Sequence, residues 1–343
     1  MCNNFHNIKK KFSNSNSFFS NPPKYIELIF ILIILGHLFI KKLTKIKKMI
    51  RIFITCFIAL ALGVSAHADI KGSALNKISE KVSSTVSNLI PGEGLTEVDI
   101  SYRENLDNNF EINILGVRDI LSGENSNLFT QFSSHNQEIN NDDRIIGNLG
   151  FGYRFLNSDQ SMMFGANAFY DQDLFEDHKR VGFGLEAKAS MLNFNYNQYQ
   201  KATNQKIINA IAEQILSGSD YNINSQIPYM PWTTFNFQGY RHENEKAAQD
   251  TKGNKYSLEM ALTPSLQLDI LLDDSSLGGV EDEYTTKLTF THPPRNNKPS
   301  LSDGAIDEVA FVKQNMKDKL KEKVRRNNNL AVEIQGSIIV TSK

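Results

Sequence analysis

Cysteine is scarce in this chain, and its two copies lie near the start. Cys2 and Cys56 precede a cleavage site expected after Ala68, so the mature chain carries no thiol. A disulfide framework, a thiolate metal site and a cysteine nucleophile are therefore excluded. The histidines lack the spacing of zinc ligands, and no nucleophile elbow is present. No cofactor and no metal site are predicted.

Long hydrophobic runs are also missing. Residues 25–40 form an apolar stretch that is short of the roughly 20 residues a membrane-spanning helix needs. With a mean hydropathy of −0.35, a bundle of transmembrane helices is excluded. A transmembrane barrel is not, because half of the side chains on each barrel strand face a polar lumen.

An excess of basic charge is absent beyond the expected cleavage site. Residues 1–68 carry ten Lys or Arg and one Glu, which leaves 27 basic and 37 acidic residues and a net charge of −10. This balance argues against nucleic acid as a partner.

The N-terminal region is organised for export. From Met49, a short basic region with Arg51 is followed by the apolar residues 52–64 and by "SAHA", which ends at Ala68. This order predicts a signal peptide over residues 49–68. Residues 1–48 are then either an over-called start or an extended leader.

The pattern that remains is alternation with a period of two. In "LNFNYNQY", residues 192–199, apolar or aromatic side chains alternate with asparagines, which is typical of a strand whose two faces meet different solvents. Twelve segments follow this pattern. They are 95–103, 108–116, 127–135, 143–156, 161–171, 180–189, 191–200, 219–227, 231–241, 254–263, 265–273 and 284–292.

The length and number of these segments predict an all-β fold, a transmembrane antiparallel 12-stranded β-barrel of the outer membrane over residues 95–292. Most segments have 9 to 11 residues, more than the 5 to 6 or so usual in soluble sheets and suited to tilted membrane-spanning strands. The number is even, as in bacterial single-chain barrels. Aromatic residues near strand ends are expected to form interface girdles; they are Tyr153, Phe155, Tyr170, Tyr199, Trp232 and Tyr256.

Connection lengths predict the orientation of the barrel. Outer-membrane barrels have short periplasmic turns and longer outer loops, and the predicted connections alternate in that way if the N-terminus is periplasmic. The short ones are 156–161, 189–191, 227–231 and 263–265, and the long ones are 172–179, 201–218, 242–253 and 274–283. The connection 117–126 is an exception, because it is long where a turn is expected.

Three segments outside these strands have helical periodicity. Residues 69–94 are predicted as a periplasmic segment with an amphipathic helix, 201–218 as a short helix in an outer loop, and 305–326 as a helical linker in the pore. The last belongs to a region, 293–343, that we expect to thread the barrel. Because only fourteen residues follow Asn329, no passenger domain is predicted within the chain.

Polar residues on the strands and in the linker are candidates for a wet lumen. The charged side chains expected to face the lumen either form a hydrated wall or contact the threading segment; they are Arg154, Glu186, Lys188, Glu259, Asp269 and Lys287. Linker residues expected in the pore are Arg325, Arg326, Asn327, Asn328 and Asn329. The two arginines suit lumen carboxylates, and the asparagines suit an extended, hydrogen-bonding chain.

Several motifs in order resemble one family. They are "LFTQ" at 128–131, "NLGFGYR" at 148–154, "GANAFYDQDL" at 165–174, "HKRVGFGLEA" at 178–187, "SDYNINSQIPYMPW" at 219–232 and "KLKEKVRRNNNLAVEI" at 319–334. Together they resemble the β-domain of inverse autotransporters, the intimin and invasin family, over about residues 95–335. The motif positions that carry the resemblance are Gly150, Gly152, Tyr153, Asn167, Phe169, Tyr170, Asp171, Asp173, Arg180, Gly182, Gly184 and Glu186.

The resemblance implies a twelve-stranded outer-membrane barrel with a periplasmic N-terminus. In this type V secretion family, the segment after the barrel passes through the pore and carries a passenger, usually immunoglobulin-like adhesin domains, to the cell surface. The implied partners are outer-membrane lipid, the barrel-assembly machinery and periplasmic chaperones, with peptidoglycan and a host or cell surface as further candidates. Adhesion is not carried over, because no passenger is predicted here.

The function predicted from these features is a translocator barrel, not an enzyme, that exports or displays its C-terminal segment. A first alternative is a passenger-less pore or structural barrel. A second is a barrel-borne hydrolase that uses Asp171, Asp173 and His178, since carboxylates and a histidine near a rim can activate water. The alternative to the hydrolase is that these residues belong to a solvated loop that caps a hairpin and has no catalytic role.

Overall fold

The computed structural model describes residues 92–103, 110–275, 282–334 and 337–339, together with Thr85. The predicted leader at 1–48, the signal peptide at 49–68 and nearly all of the predicted helical segment at 69–94 lie outside the described residues.

Twelve antiparallel strands close into one barrel, as the alternation predicts. Each strand pairs with its neighbours along the wall, and β14 pairs with β1 to close the ring. Closure leaves no barrel strand with an open edge, which lipid would not tolerate. The barrel strands are β1 (Leu95–Arg103), β2 (Phe110–Ser122), β3 (Ser126–Ile139), β4 (Asp142–Leu156), β5 (Met162–Asp173), β6 (Lys179–Ala189), β7 (Leu192–Lys201), β10 (Ser217–Ile227), β11 (Met230–Glu243), β12 (Thr251–Thr263), β13 (Leu266–Ser275) and β14 (Glu283–His292).

A second, smaller sheet combines a loop with the end of the described chain. Its four strands are β8 (Lys206–Ile208), β9 (Ile211–Ile215), β15 (Val332–Ile334) and β16 (Ser337–Ile339), in the order β16-β15-β9-β8. We call it the cap sheet. Through it the chain that follows the barrel is hydrogen-bonded to the connection between β7 and β10.

The barrel is inside out relative to a soluble protein. On β7, Phe194 is 42% exposed, whereas Asn195 is fully buried. The same inversion recurs on β6, where Phe183 is 61% exposed and Glu186 is buried. An outer face of large apolar side chains is stable only against lipid, and a buried polar face needs hydrogen-bond partners inside the lumen. The alternation therefore separates acyl chains from a polar interior.

The two ends of the barrel differ in their connections. At the end where β1 begins and β14 ends, which we call the turn end, the connections are 123–125, 157–161, 190–191, 228–229 and 264–265. At the opposite end, the loop end, the described connections are 140–141, 174–178, 202–216 and 244–250. The long connection predicted at 117–126 is wrong. Strand β2 continues to Ser122, so only the short turn 123–125 remains before β3.

The predicted helix at 201–218 is wrong. Residues 206–215 form a hairpin, in which the turn residues Asn209 and Ala210 have positive φ angles of 51° and 65°. The β-branched isoleucines of this segment favour strands. Pairing of β9 with β15 then stabilises the extended form, which a sequence pattern alone cannot reveal.

The predicted helical linker at 305–326 is also wrong, apart from one turn. A single short α-helix, α1 (Met316–Lys319), begins at Asn315, whose side chain accepts a hydrogen bond from Lys317 N–H. The residues before it form bends and irregular chain that contact the barrel rim. Gln226, for example, bonds both backbone groups of Val312. An isolated helix of this length is marginal in water, so these contacts override its propensity. No helix in the described part of the chain is long and apolar enough to span a membrane.

The expected aromatic girdle is only partly present. Tyr153, Phe155 and Tyr170 lie on the outer face and are 40–50% exposed. Tyr199 and Trp232 instead point inward and are buried. The Trp232 indole donates a 2.8 Å hydrogen bond to the Ala305 carbonyl, so this side chain holds the start of the linker at the turn end.

Candidate functional site

The candidate site is the lumen with the chain that passes through it. We use the name linker for residues 293–334. Its contacts follow the inward face of β3 from the turn end to the loop end. Asn127 donates to Leu320 O, Gln131 accepts from Val324 N–H, and Gln137 contacts Leu330. The linker therefore runs the length of the barrel, parallel to β3.

Two glutamines substitute for a neighbouring strand. The Gln137 side chain accepts from Leu330 N–H at 2.9 Å and donates to Leu330 O at 2.8 Å. At the turn end, the Gln226 side chain accepts from Val312 N–H at 3.2 Å and donates to Val312 O at 3.0 Å. An amide side chain carries one acceptor and two donors, so it satisfies both backbone groups of an extended residue. The linker is thus hydrogen-bonded without joining the barrel sheet.

An arginine–carboxylate cluster lies midway through the lumen, between the contacts of Val324 and Leu330 with β3. Arg326 binds both oxygens of Asp171 at 2.9 and 2.6 Å. Arg180 on β6 binds the same carboxylate at 2.7 Å, and Asn148 donates to it at 2.7 Å. The guanidinium carbon of Arg326 also lies 4.3 Å from the centroid of the Phe169 ring, a cation–π contact. A fully buried carboxylate is thereby neutralised from the wall and from the linker.

The three asparagines after Arg326 have no regular secondary structure and are bonded to the wall. Arg180 donates to the carbonyls of Asn327 and Asn329 at 2.8 and 3.0 Å. Asn148 donates to the Asn328 carbonyl, and Asn327 N–H donates to the Tyr199 hydroxyl. Arg180 therefore links the buried carboxylate to the linker backbone.

The charged residues nearer the turn end divide into two groups. Arg154 pairs with Glu186 at 2.7 Å and also donates to the carbonyls of Leu320 and Glu322. Lys188 lies 3.3 Å from the Glu322 carboxylate. Glu259 binds Arg325 through both oxygens at 2.5 and 2.6 Å. In the first group, Arg154, Lys188 and Glu259 contact the linker directly, and Glu186 holds Arg154 in place. In the second group, Asp269 and Lys287 pair with each other at 2.8 Å.

Inward glycines make room for aromatic rings against the wall. Gly152 is opposite Phe129, and Gly150 is opposite Phe169. A Cβ atom on either glycine would lie 2.4 Å from the facing ring. Arg154 in turn stacks on the Phe129 ring, with its guanidinium carbon 4.3 Å from the centroid. The glycines thus set the depth at which the arginines meet the linker.

The other motif positions serve the same wall or its outer face. Gly182 is opposite Tyr199, with the Arg326 guanidinium close by, and Gly184 is opposite Asn167. Tyr153 and Tyr170 face outward. Asp173 binds Arg144 and accepts from the N–H groups of residues 175 and 176, so it shapes the loop that follows β5.

The cap sheet closes over the linker at the loop end. Glu213 on β9 binds Arg144 through both oxygens at 2.7 Å, and its Oε2 lies 3.4 Å from His178 Nε2. Burial acts to raise the pKa of Glu213, but hydrogen bonds from His178 and Arg144 outweigh it, so the pKa lies below the usual value. Beneath the sheet is an apolar cluster of Ile139, Ile146, Ile215, Leu330, Val332 and Ile334.

A second carboxylate of the cap sheet fastens the linker to a loop. Glu333 on β15 accepts hydrogen bonds from the N–H groups of Glu245, Lys246 and Ala247, the shortest at 2.8 Å. The loop at 244–250 is thereby drawn over the emerging chain.

The residues considered for hydrolysis are buried and contact other side chains of the barrel. Asp171, Asp173 and His178 are fully buried, and the two aspartates are bound by arginines. Within the described ranges, no group of three His, Cys, Asp or Glu residues is placed to hold a metal ion. Side chains that cannot reach water are poorly suited to activating it.

Sequence reasoning identified the charged residues of the lumen but missed the amides and rings that hold the linker. Gln131, Gln137 and Gln226, with Phe129 and Tyr199, are the main omissions. A signal was present, since Asn127, Gln131, Ser133 and Gln137 share the inward face of β3. A buried face on which polar residues outnumber apolar ones in this way indicates a partner inside the lumen.

Taken together, the closed barrel, its apolar outer face and its polar lumen define a bacterial outer-membrane β-barrel. Residues 62–328 match the family "Inverse autotransporter, beta-domain". The chain therefore belongs to that family, whose members are outer-membrane translocator barrels similar to those of intimin and invasin.

Relatives of known name agree with this assignment. A putative attaching and effacing protein homolog of Escherichia coli K12 is 35% identical over 107 residues, 30% of this chain and 35% of that protein. Invasin of Yersinia enterocolitica is 26% identical over 60% of this chain and 24% of its own length. Inverse autotransporter adhesin YeeJ of Escherichia coli K12 is 26% identical over 62% of this chain and 9% of its own. The matches thus span between 9% and 35% of the length of these proteins.

One solved structure shows the same fold. It comes from work on the in-meso crystallization of membrane proteins, and it matches with a TM-score of 0.58 and 17% sequence identity. The match covers 70% of this chain and all of that chain. At this identity it supports the barrel architecture alone.

Proposed function

We propose that the barrel exports and displays its own C-terminal segment at the cell surface. The observation that carries this proposal is the course of the linker, which enters at the turn end, follows β3 through the lumen and joins the cap sheet at the loop end. In an outer-membrane barrel, short turns belong on the periplasmic side. The N-terminus is then periplasmic, and the cap sheet faces outward.

The contacts along this route indicate that the linker is bound to the barrel wall inside the lumen. Between Leu320 and Leu330 the linker backbone is bonded to side chains of the barrel wall, so no strand pairing has to be broken there for the chain to move. An extended segment is also the form that fits a twelve-stranded lumen, because a folded domain is too wide. Asp171, Asp173 and His178, the residues considered for hydrolysis, are buried, and we propose that the barrel is not an enzyme.

Partners follow from this role and are part of the proposal. Assembly of a β-barrel in the outer membrane implies the barrel-assembly machinery and periplasmic chaperones, and the N-terminal side is the place for peptidoglycan. The names Invasin and adhesin, which belong to the relatives, suggest that a segment displayed here touches a host or another cell. That step depends on chain beyond the described barrel.

Cysteine labelling on intact cells tests the orientation. The expected mature chain has no cysteine, so single variants report one place each. Ala248→Cys lies in an exposed loop at the loop end, and Ser158→Cys lies in an exposed turn at the turn end. A membrane-impermeant maleimide is expected to label only Ala248→Cys on intact cells. Ser158→Cys is expected to react only after the outer membrane is permeabilised.

An epitope tag placed after Lys343 tests the display itself. Protease added to intact cells is expected to remove the tag while the barrel survives. A tag protected on intact cells, with Ala248→Cys still labelled, would retain the orientation and reject the display.

A further inference from the structure

Space remains in the lumen beside the linker. A turn-end cavity of about 1670 Å³ opens among the short turns, and an inner cavity of about 130 Å³ lies deeper in the barrel. The inner cavity is bounded by polar side chains of the strands that the linker does not follow, among them Asp99, Arg103, Asn222 and Gln238. The linker contacts described above lie mostly on β3 to β7, so it fills one side of the lumen only.

Five residues line both cavities, and all five are charged: Glu259, Asp269, Lys287, Lys323 and Arg325. We call them the charged collar. Arg325 and Lys323 come from the linker, and the other three come from β12, β13 and β14. The collar is closed by ion pairs, Arg325 with Glu259 at 2.5 Å and Lys287 with Asp269 at 2.8 Å. Lys323 reaches outside it to Glu97.

We propose that the barrel conducts small inorganic ions past the linker, with the charged collar as the constriction that selects them. Charged and amide side chains line both cavities, and a narrowing lined by ionised groups sets the charge preference of a pore. Because the collar residues line both cavities, an ion that moves from one cavity to the other passes between them. Ion conduction is a function separate from display of the C-terminal segment.

The composition of the collar predicts opposite effects for the two partners of one ion pair. It holds three cations and two carboxylates, a formal charge of +1. Arg325→Gln makes the collar neutral, and Glu259→Gln raises its charge to +2. Both substitutions break the same ion pair, so any loosening of the linker is common to them. The direction of charge selectivity is what separates them.

Recordings of the purified full chain in planar lipid bilayers under a KCl gradient test the proposal. Heat-modifiable gel mobility establishes that each variant is folded before it is recorded. The unsubstituted protein is expected to show discrete conductance steps. The reversal potential is expected to shift toward cation selectivity in Arg325→Gln and toward anion selectivity in Glu259→Gln.

Two further variants sharpen the test. Lys287→Gln removes a collar cation from the wall, and its shift is expected to match that of Arg325→Gln even if the linker variant fails to fold. Lys321→Gln is the matched control, because Lys321 lines the turn-end cavity but not the inner one and pairs with Asp119. Its reversal potential is expected to stay unchanged.

Salt concentration provides an internal check. Screening shortens the range of the collar field from about 10 Å at 0.1 M to about 3 Å at 1 M, so the selectivity shifts are expected to shrink as KCl rises. A folded, inserted wild-type barrel without conductance steps would overturn the proposal. So would shifts of the same sign in Arg325→Gln and Glu259→Gln.

Discussion

Arg326 of the linker and Asp171 of β5 form a buried two-oxygen ion pair, with N–O distances of 2.9 and 2.6 Å. The two residues are 155 positions apart in the sequence. The same carboxylate binds Arg180, which also holds the carbonyls of Asn327 and Asn329. One aspartate thus connects the barrel wall, the linker side chain and, through Arg180, the linker backbone.

Arg326→Gln is expected to destabilise the threaded barrel. Removing one partner of a buried ion pair lowers the free energy of unfolding by about 3–5 kcal/mol, because the other charge stays buried. The loss is expected near the low end of this range, because Arg180 still binds Asp171. The measurement is the thermal unfolding midpoint in detergent, followed by gel mobility.

Lys321→Gln is the control for that loss, since Lys321 is also a linker cation but its side chain is 65% exposed. Exposed pairs contribute about 0–1 kcal/mol, so little change is expected. Equal shifts in the two variants would show that burial of the Arg326 pair has no special weight.

Gly152→Ala is expected to lower the yield of folded barrel. A Cβ at this position would lie 2.4 Å from the Phe129 ring, and the ring cannot retreat because Arg154 stacks on it. Overpacking of this kind costs about 1–3 kcal/mol. The folded fraction after refolding into detergent is the measurement.

Gly147→Ala, on the same strand, separates the clash from the general effect of replacing glycine. A Cβ there meets nothing closer than 3.6 Å, so this variant is expected to refold like the unsubstituted protein. If Gly147→Ala and Gly152→Ala lose the same folded fraction, the ring contact is not the cause.

Acid is expected to loosen the cap sheet through Glu213. Its pKa in the folded protein lies below the usual 4.5, since the hydrogen bonds from His178 and Arg144 outweigh the effect of burial. A carboxylate with a lowered pKa contributes stability that is fully present above its unfolded pKa and is lost as pH falls through the folded value. Hydrogen exchange at residues 332–334, corrected for its intrinsic pH dependence, is expected to accelerate below about pH 4.5.

Glu213→Gln tests the assignment of that acid response. It cannot titrate, so exchange in the cap sheet is expected to be faster at neutral pH and to change less between pH 6 and 3. An unaltered acid profile in Glu213→Gln would assign the response to another group.

Neighbouring residues of β7 are expected to report two different solvents. A nitroxide at Phe194→Cys, on the 42% exposed outer face, is expected to collide with dissolved oxygen and to be shielded from a water-soluble nickel chelate. A nitroxide at Asn193→Cys, which lines the turn-end cavity, is expected to show the reverse. The same accessibility at both positions would contradict a membrane-spanning β7.

The strands were predictable because alternation is imposed by two solvents at once. β7 is predicted at 191–200 and observed at Leu192–Lys201, and β13 is predicted at 265–273 and observed at Leu266–Ser275. A predicted segment ends early where the alternation of a strand is interrupted, as at the register shift between Asp119 and Leu121. β2 is the example, since its residues after 116 include polar Arg118 and Asp119.

The helices predicted at 201–218 and 305–326 were wrong for one reason. Both segments have apolar residues at helical spacing, but their backbone groups find partners elsewhere. Leu216 N–H bonds to Ala331 O, and Tyr229 N–H bonds to Ala310 O. Local periodicity does not register partners that lie about a hundred residues away, and such partners decide between helix and extended chain when helix propensity is weak.

By itself, the sequence determined the barrel, the number of its strands and the polarity of its two faces, because a membrane leaves a backbone few ways to satisfy its hydrogen bonds. It also indicated that Arg325 and Arg326 would meet carboxylates. Only the tertiary structure decided which ones, Glu259 and Asp171, along with the route of the linker and the cap sheet. Those choices depend on how twelve strands bring distant residues to one level of the lumen, which no local pattern encodes.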